Sequence, residues 1–183
     1  MPKDAINLNE LLLKIKKGGI KMDLPLITYP GAGTDLFFVF QDSGLNVLIG
    51  HEGNGKTKFL TQIIIQLLDD MQNNDPRFIN WKLLYVDTER PVSQYAKSVE
   101  HIFATTTLPT PEVCSRLHFL SVMDLGCKTI LKSINDHLSI HKEHNFIVII
   151  DHVLPLVTDL NSTNEATDID QFIKQMIARD HII

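Results

Sequence analysis

The sequence predicts an α/β fold, a mainly parallel sheet between helices in three αβα layers. Three observations carry that prediction. Short apolar runs at 46–49, 83–86, 117–120 and 146–150 alternate with longer segments of helical periodicity. The last run, Phe146-Ile147-Val148-Ile149-Ile150, has no polar break, as expected for a strand buried on both faces. A glycine-rich loop also lies between the first of these strands and the first long helix, the strand–loop–helix order that builds phosphate-binding sites.

Taken in order, residues 8–17 read as a short amphipathic helix. Leu8, Leu11, Leu12 and Ile15 share one face, and Asn7 is its cap. Gly18 and Gly19 end it, and Pro25, Pro30, Gly31 and Gly33 make an irregular approach segment. Residues 37–40 and 45–49 read as a hairpin joined by Gln41-Asp42-Ser43-Gly44. A helix is expected over 58–70, carrying Phe59, Leu60, Ile63, Ile64, Leu67 and Leu68. Asn73-Asn74-Asp75-Pro76 interrupts the chain before the strand at 83–86 and a helix over 92–103. A Thr/Pro loop then leads to the strand at 117–120. The next helix, over 127–144, turns Ile130, Leu131, Ile134 and Leu138 inward and precedes the apolar strand that ends at Asp151. Ser162-Thr163-Asn164-Glu165 fits a capping box ahead of a last helix bearing Ile169, Phe172, Ile173, Met176 and Ile177. Asp180-His181-Ile182-Ile183 has the character of a strand beginning. The expected division is 1–35, an N-terminal helix and approach segment, and 36–183, the α/β domain.

Composition narrows the function classes. The chain has 183 residues, 44% of them hydrophobic, enough for one domain with a substantial core. Its net charge of −5 and lack of a polybasic tail give no nucleic-acid-binding signature. Cys114 and Cys127 have no paired spacing, as in a reduced cytoplasmic protein. No apolar run reaches membrane-spanning length.

The chemistry begins at Gly50-His51-Glu52-Gly53-Asn54-Gly55-Lys56-Thr57, a complete G-x-x-x-x-G-K-S/T phosphate-binding loop, with Lys58 opening the helix behind it. Its glycines let backbone N–H groups approach a polyphosphate, and the helix N-terminus adds its dipole. Lys56 supplies a charge to the β- and γ-phosphates, and the Thr57 hydroxyl is a ligand for Mg²⁺. Asp151 ends an apolar strand downstream of the loop, where a carboxylate holds the same Mg²⁺. At the end of the strand 83–86 lie Asp87, Glu89 and Arg90. Hydrolysis needs a carboxylate that orients water, and spacing leaves Asp87 and Glu89 as rivals. No guanine-reading N-K-x-D segment is present, which favours ATP.

These elements together, Leu48-Ile49-Gly50 through Thr57, Leu84 to Glu89 and Val148-Ile149-Ile150-Asp151-His152, resemble the RecA-like P-loop ATPases. Within them the sequence is most similar to the RepA branch of hexameric replicative helicases of plasmids and mobile elements. The resemblance covers the chain from about residue 36 onward. It implies a catalytic pair of Lys56 and Glu89, with the glutamate activating water, and a homo-oligomeric, hexameric ring that moves on DNA. It also implies that the last strand, beginning at His181-Ile182-Ile183, inserts between the strand ending at Asp151 and the strand entering the loop. The sensor, DNA-contacting loops and intersubunit arginine of the family lie beyond that point, so the chain is expected to be an incomplete domain with little hydrolysis by itself. Other RecA-like roles, a recombinase or KaiC-like regulator, or a loader using ATP as a switch, share the same loop. Glu52 inside the loop and His152 after Asp151 depart from the family pattern.

Two further clusters read as ordinary surface. His137, His141 and His144 lie at helical spacing, but no carboxylate or cysteine completes a ligand set, so they are expected to line a solvated helix face. Asp159, Asn161, Thr163, Glu165 and Asp170 mimic a calcium loop without its required glycine. Trp81 and Tyr85 are expected to serve strand packing.

Overall fold

The computed structural model describes residues 25–30, 36–41, 46, 55–72, 78–152, 156, 163–179 and 181–183. The expected N-terminal helix, most of the phosphate loop and the acidic segment before the last helix lie outside them. The chain divides into two compact units, Met1–Asp42 and Ser43–Ile183.

In the smaller unit, strand β1 (Pro25–Pro30) pairs antiparallel with β2 (Leu36–Gln41). The segment read as irregular is therefore a strand that pairs with 36–41, while the second arm of the expected hairpin, at 45–49, lies almost wholly outside the described residues. Both prolines of β1 are terminal, where a missing N–H costs the ladder little.

The larger unit alternates helix and strand: α1 (Lys56–Gln72), β3 (Trp81–Asp87), α2 (Val92–Thr105), α3 (Thr110–Arg116), β4 (Leu117–Ser121), α4 (Cys127–Ile140), β5 (Asn145–Asp151) and α5 (Thr163–Ile177). β4, β3 and β5 form a parallel sheet in that order. Beyond β5, Ile182 bridges in parallel to Ile147, and the Val148 N–H donates to the Ile182 carbonyl at 2.7 Å. The Asn46 N–H in turn donates to the Ile183 carbonyl at 2.7 Å. The final residues therefore stand where the resemblance implied, between β5 and the segment that enters the phosphate loop. This is the three-layer αβα RecA-like arrangement.

Strand alternation sorts the two faces. Leu84, Val86, Phe146 and Val148 join Ile130, Leu131, Ile134 and Leu138 of α4 and Phe172 and Met176 of α5 in one buried cluster. Tyr85, Asp87 and Asp151 point to the other face, toward the start of α1. α1 buries Ile63, Ile64, Leu67, Leu68 and Met71, and each such side chain contributes roughly 1.5–3 kcal/mol by leaving water. α4 is shorter than the 127–144 expected, because the chain leaves helical geometry at His141 and turns into β5.

Candidate functional site

Parallel strands deliver their tips to one edge, and there β3 and β5 run in register so that Asp87 lies beside Asp151. Two adjacent buried carboxylates repel, and the structure offsets this with Arg90. Its Nη2 is 2.6 Å from Asp87 Oδ2 and 3.8 Å from Asp151 Oδ2. Arg90 Nε also donates to Asp87 Oδ2 at 2.8 Å, and Nη1 donates to Ser98 Oγ at 3.2 Å.

Asp87 is fully engaged. Its Oδ1 accepts the backbone N–H of Glu89 at 3.1 Å and of Arg90 at 2.8 Å, which folds the turn after β3. At 2% exposure, with four donors on two oxygens, its carboxylate is a structural hub. Glu89, by contrast, keeps a side chain 57% exposed, 3.9 Å from His152 Nδ1.

Asp151 Oδ2 accepts the Thr57 hydroxyl at 2.8 Å and the Tyr85 hydroxyl at 2.8 Å. Tyr85 in turn accepts Arg90 Nη2 at 2.8 Å. Burial, reinforced by the charge of Asp151, holds the Tyr85 phenol well above its ordinary range. Tyr85 and Arg90 thus fix the Asp151 side chain, a role that strand packing alone did not reveal. The strand tips are also laced together through Thr88: its N–H donates to the Asp151 carbonyl at 2.9 Å, and its hydroxyl accepts the His152 N–H at 2.9 Å.

Of the loop, Gly55, Lys56 and Thr57 are described; Gly50, His51, Glu52, Gly53 and Asn54 lie outside the described residues. Gly55 has φ +77°, a conformation that costs other residues free energy. Phe59 N–H bonds to the Gly55 carbonyl at 2.9 Å, so the helix begins immediately behind the glycine. Lys56 and Lys58 open α1, at the end where unpaired N–H groups favour an anion. Thr57 and Asp151 present hard oxygen donors 2.8 Å apart. That fits Mg²⁺, whose neighbouring octahedral ligands at 2.0–2.1 Å stand roughly 2.9 Å apart.

Fold and strand-tip geometry define a P-loop nucleotide-binding domain. Residues 39–179 match the family model described as an AAA domain, and the chain belongs to that family, making it a P-loop ATPase. No curated protein matches the chain. Among the described residues, no helix is long and apolar enough to cross a membrane.

Proposed function

We propose that residues 36–183 are an ATP-binding, Mg²⁺-dependent ATPase domain of a RepA-like helicase, working on DNA as a cytoplasmic homo-hexameric ring, with 1–35 as an N-terminal extension. The observation that carries the ATPase reading is the division of labour at the β3 tip. Asp87 is spent on Arg90 and two backbone N–H groups, whereas Glu89 is left exposed beside His152, the residue after Asp151.

In this reading the loop from Gly50 to Lys58 wraps the triphosphate, and Lys56 faces its β- and γ-phosphates. Thr57 and Asp151 hold Mg²⁺, which offsets charge on the phosphate oxygens when bound. Glu89 orients a water whose oxygen bonds to the γ-phosphorus as the bond to the β–γ bridging oxygen breaks. The water's proton passes toward the Glu89 carboxylate. Tyr85 and Arg90 keep Asp151 pointed at Thr57. The resemblance supplies the DNA, helicase and hexamer parts of the proposal.

Calorimetry of ATP binding with hydrolysis measured in parallel tests this reading. Lys56→Ala is expected to lose binding. Glu89→Gln is expected to bind ATP while losing most turnover. Unchanged affinity in Lys56→Ala refutes the binding site. Full turnover in Glu89→Gln refutes the assigned base and favours a nucleotide switch, in which hydrolysis is incidental.

A further inference from the structure

At the opposite end of the strands from Asp151, β4 and α4 bring three imidazoles together. His118 stands at the start of β4, His137 in the last turn of α4, and His141 is the residue that caps it. His118 Nδ1 and His137 Nε2 are 2.8 Å apart, and one ring nitrogen from each of the three lies within 4.8 Å of the others. The ring centroids are 4.8–5.0 Å apart, and the fully buried Phe146 closes the cluster from below, 5.6 Å from His118. This revises the solvated helix face expected from the sequence. His144 faces Glu143 at 3.5 Å instead, and His118, from a strand, takes its place in the group.

We propose that His118, His137 and His141 bind a borderline divalent transition metal, Zn²⁺, which clamps the C-terminal end of α4 to β4. Neighbouring ligands around tetrahedral Zn²⁺ at 2.0–2.1 Å stand roughly 3.3 Å apart, within the 2.8–4.8 Å spread of this cluster. The pair at positions 137 and 141 has the i, i+4 spacing that puts two imidazoles on one helix side. Three nitrogen donors leave a fourth position to water. Glu143 Oε1, 4.0 Å from His141 Nδ1, places a negative charge near the site without hydrogen-bonding the ring.

The local charge environment agrees. Burial, then the charges of Lys82, His137 and His141, lowers the His118 pKa to about 4, against the opposing effect of a hydrogen bond from its ring to the Ser115 backbone. Burial, His141 and Lys82 lower that of His137 as well. These shifts favour the neutral form of His118 and His137, the form that ligates a metal. Mg²⁺, which prefers oxygen, does not suit an all-imidazole set.

The test uses the whole 183-residue chain, stripped with a chelator and dialysed against Zn²⁺, with Co²⁺ as a spectroscopic probe. One Zn²⁺ per chain is expected, with the visible absorption of tetrahedral Co²⁺ bleached by added Zn²⁺ and untouched by Mg²⁺. His118→Ala and His141→Gln should abolish the stoichiometric ion, while His144→Ala and Thr57→Ala keep it. His141, at the helix end, is the safer substitution if His118→Ala fails to fold by circular dichroism. Substoichiometric binding by the wild type, or full binding by a folded His141→Gln, overturns the proposal.

Discussion

Replacing Asp87 with asparagine separates a structural carboxylate from a chemical one. Asp87 is 2% exposed and takes four donors. Asparagine retains the two backbone bonds through its carbonyl oxygen, but it turns an amide NH₂ toward Arg90 Nε and Nη2, donor against donor. Breaking a buried ion pair costs about 3–5 kcal/mol. Arg90 is 19% exposed and keeps Tyr85 and Ser98, so water and these partners recover part of the loss, placing the cost at about 3 kcal/mol. At 2–4 °C per kcal/mol for a domain of this size, Tm should fall by roughly 6–12 °C. Glu89→Gln, at a 57% exposed position, should stay within about 0.5 kcal/mol of wild type. Circular dichroism melts of both variants, with ATP turnover measured well below the lower Tm, decide the matter. An Asp87→Asn protein that melts with the wild type yet hydrolyses nothing, beside a fully active Glu89→Gln, would sink the reasoning.

Thr57→Ala removes a hydroxyl from Asp151, so its affinity for Mg-ATP should drop at least tenfold while ATP without Mg²⁺ binds nearly as before, read by calorimetry in each condition. Tyr85→Phe deletes a bond to a carboxylate worth about 1.5–3 kcal/mol, measurable in urea. Because the native phenol is held protonated, stability should begin to fall as pH rises past about 10, the unfolded tyrosine value, and Tyr85→Phe should lose that dependence. Ultraviolet titration should correspondingly leave one of the three tyrosines un-ionised above pH 10 in the native wild type. Gly55→Ala meets no atom within 4 Å of the new Cβ, so denaturation should report backbone strain alone, about 1–2 kcal/mol.

How far the sequence could be read follows from the range of each signal. Helices α1, α2 and α5 and the apolar β5 announced themselves through local periodicity, and the segment at His181 joined β5 where the resemblance implied. α3 was missed because Thr110-Pro111 resembles a loop, although Pro111 in the first turn, Glu112 behind it and Arg116 in the last turn are helix signals. The β1–β2 pairing was missed because proline-bounded strands look irregular. At the strand tips, Thr57 and Asp151 were legible as a pair, since the loop and an apolar strand ending in aspartate each carry a pattern. The rivalry of Asp87 and Glu89 was not resolvable from spacing. The engagement of Asp87 depends on the reach of Arg90, and Tyr85 joins through register between β3 and β5. His118 escaped notice for the same reason: a ligand set drawn from a strand and a helix has no linear spacing.

The hydrogen bond from Asn46 to Ile183 has a consequence for the order in which the protein is made. Asn46 leaves the ribosome early, and the residue that ties it to the central strands emerges after nearly all of the larger unit has been synthesised. Closing so long a loop is entropically costly and kinetically slow. The entry to the phosphate loop is thus secured late, after β3, β4 and β5 have had time to pair. A translating chain stalled before residue 181 has yet to make the Asn46–Ile183 bond, so its capture of ATP should be weaker than that of the 183-residue chain.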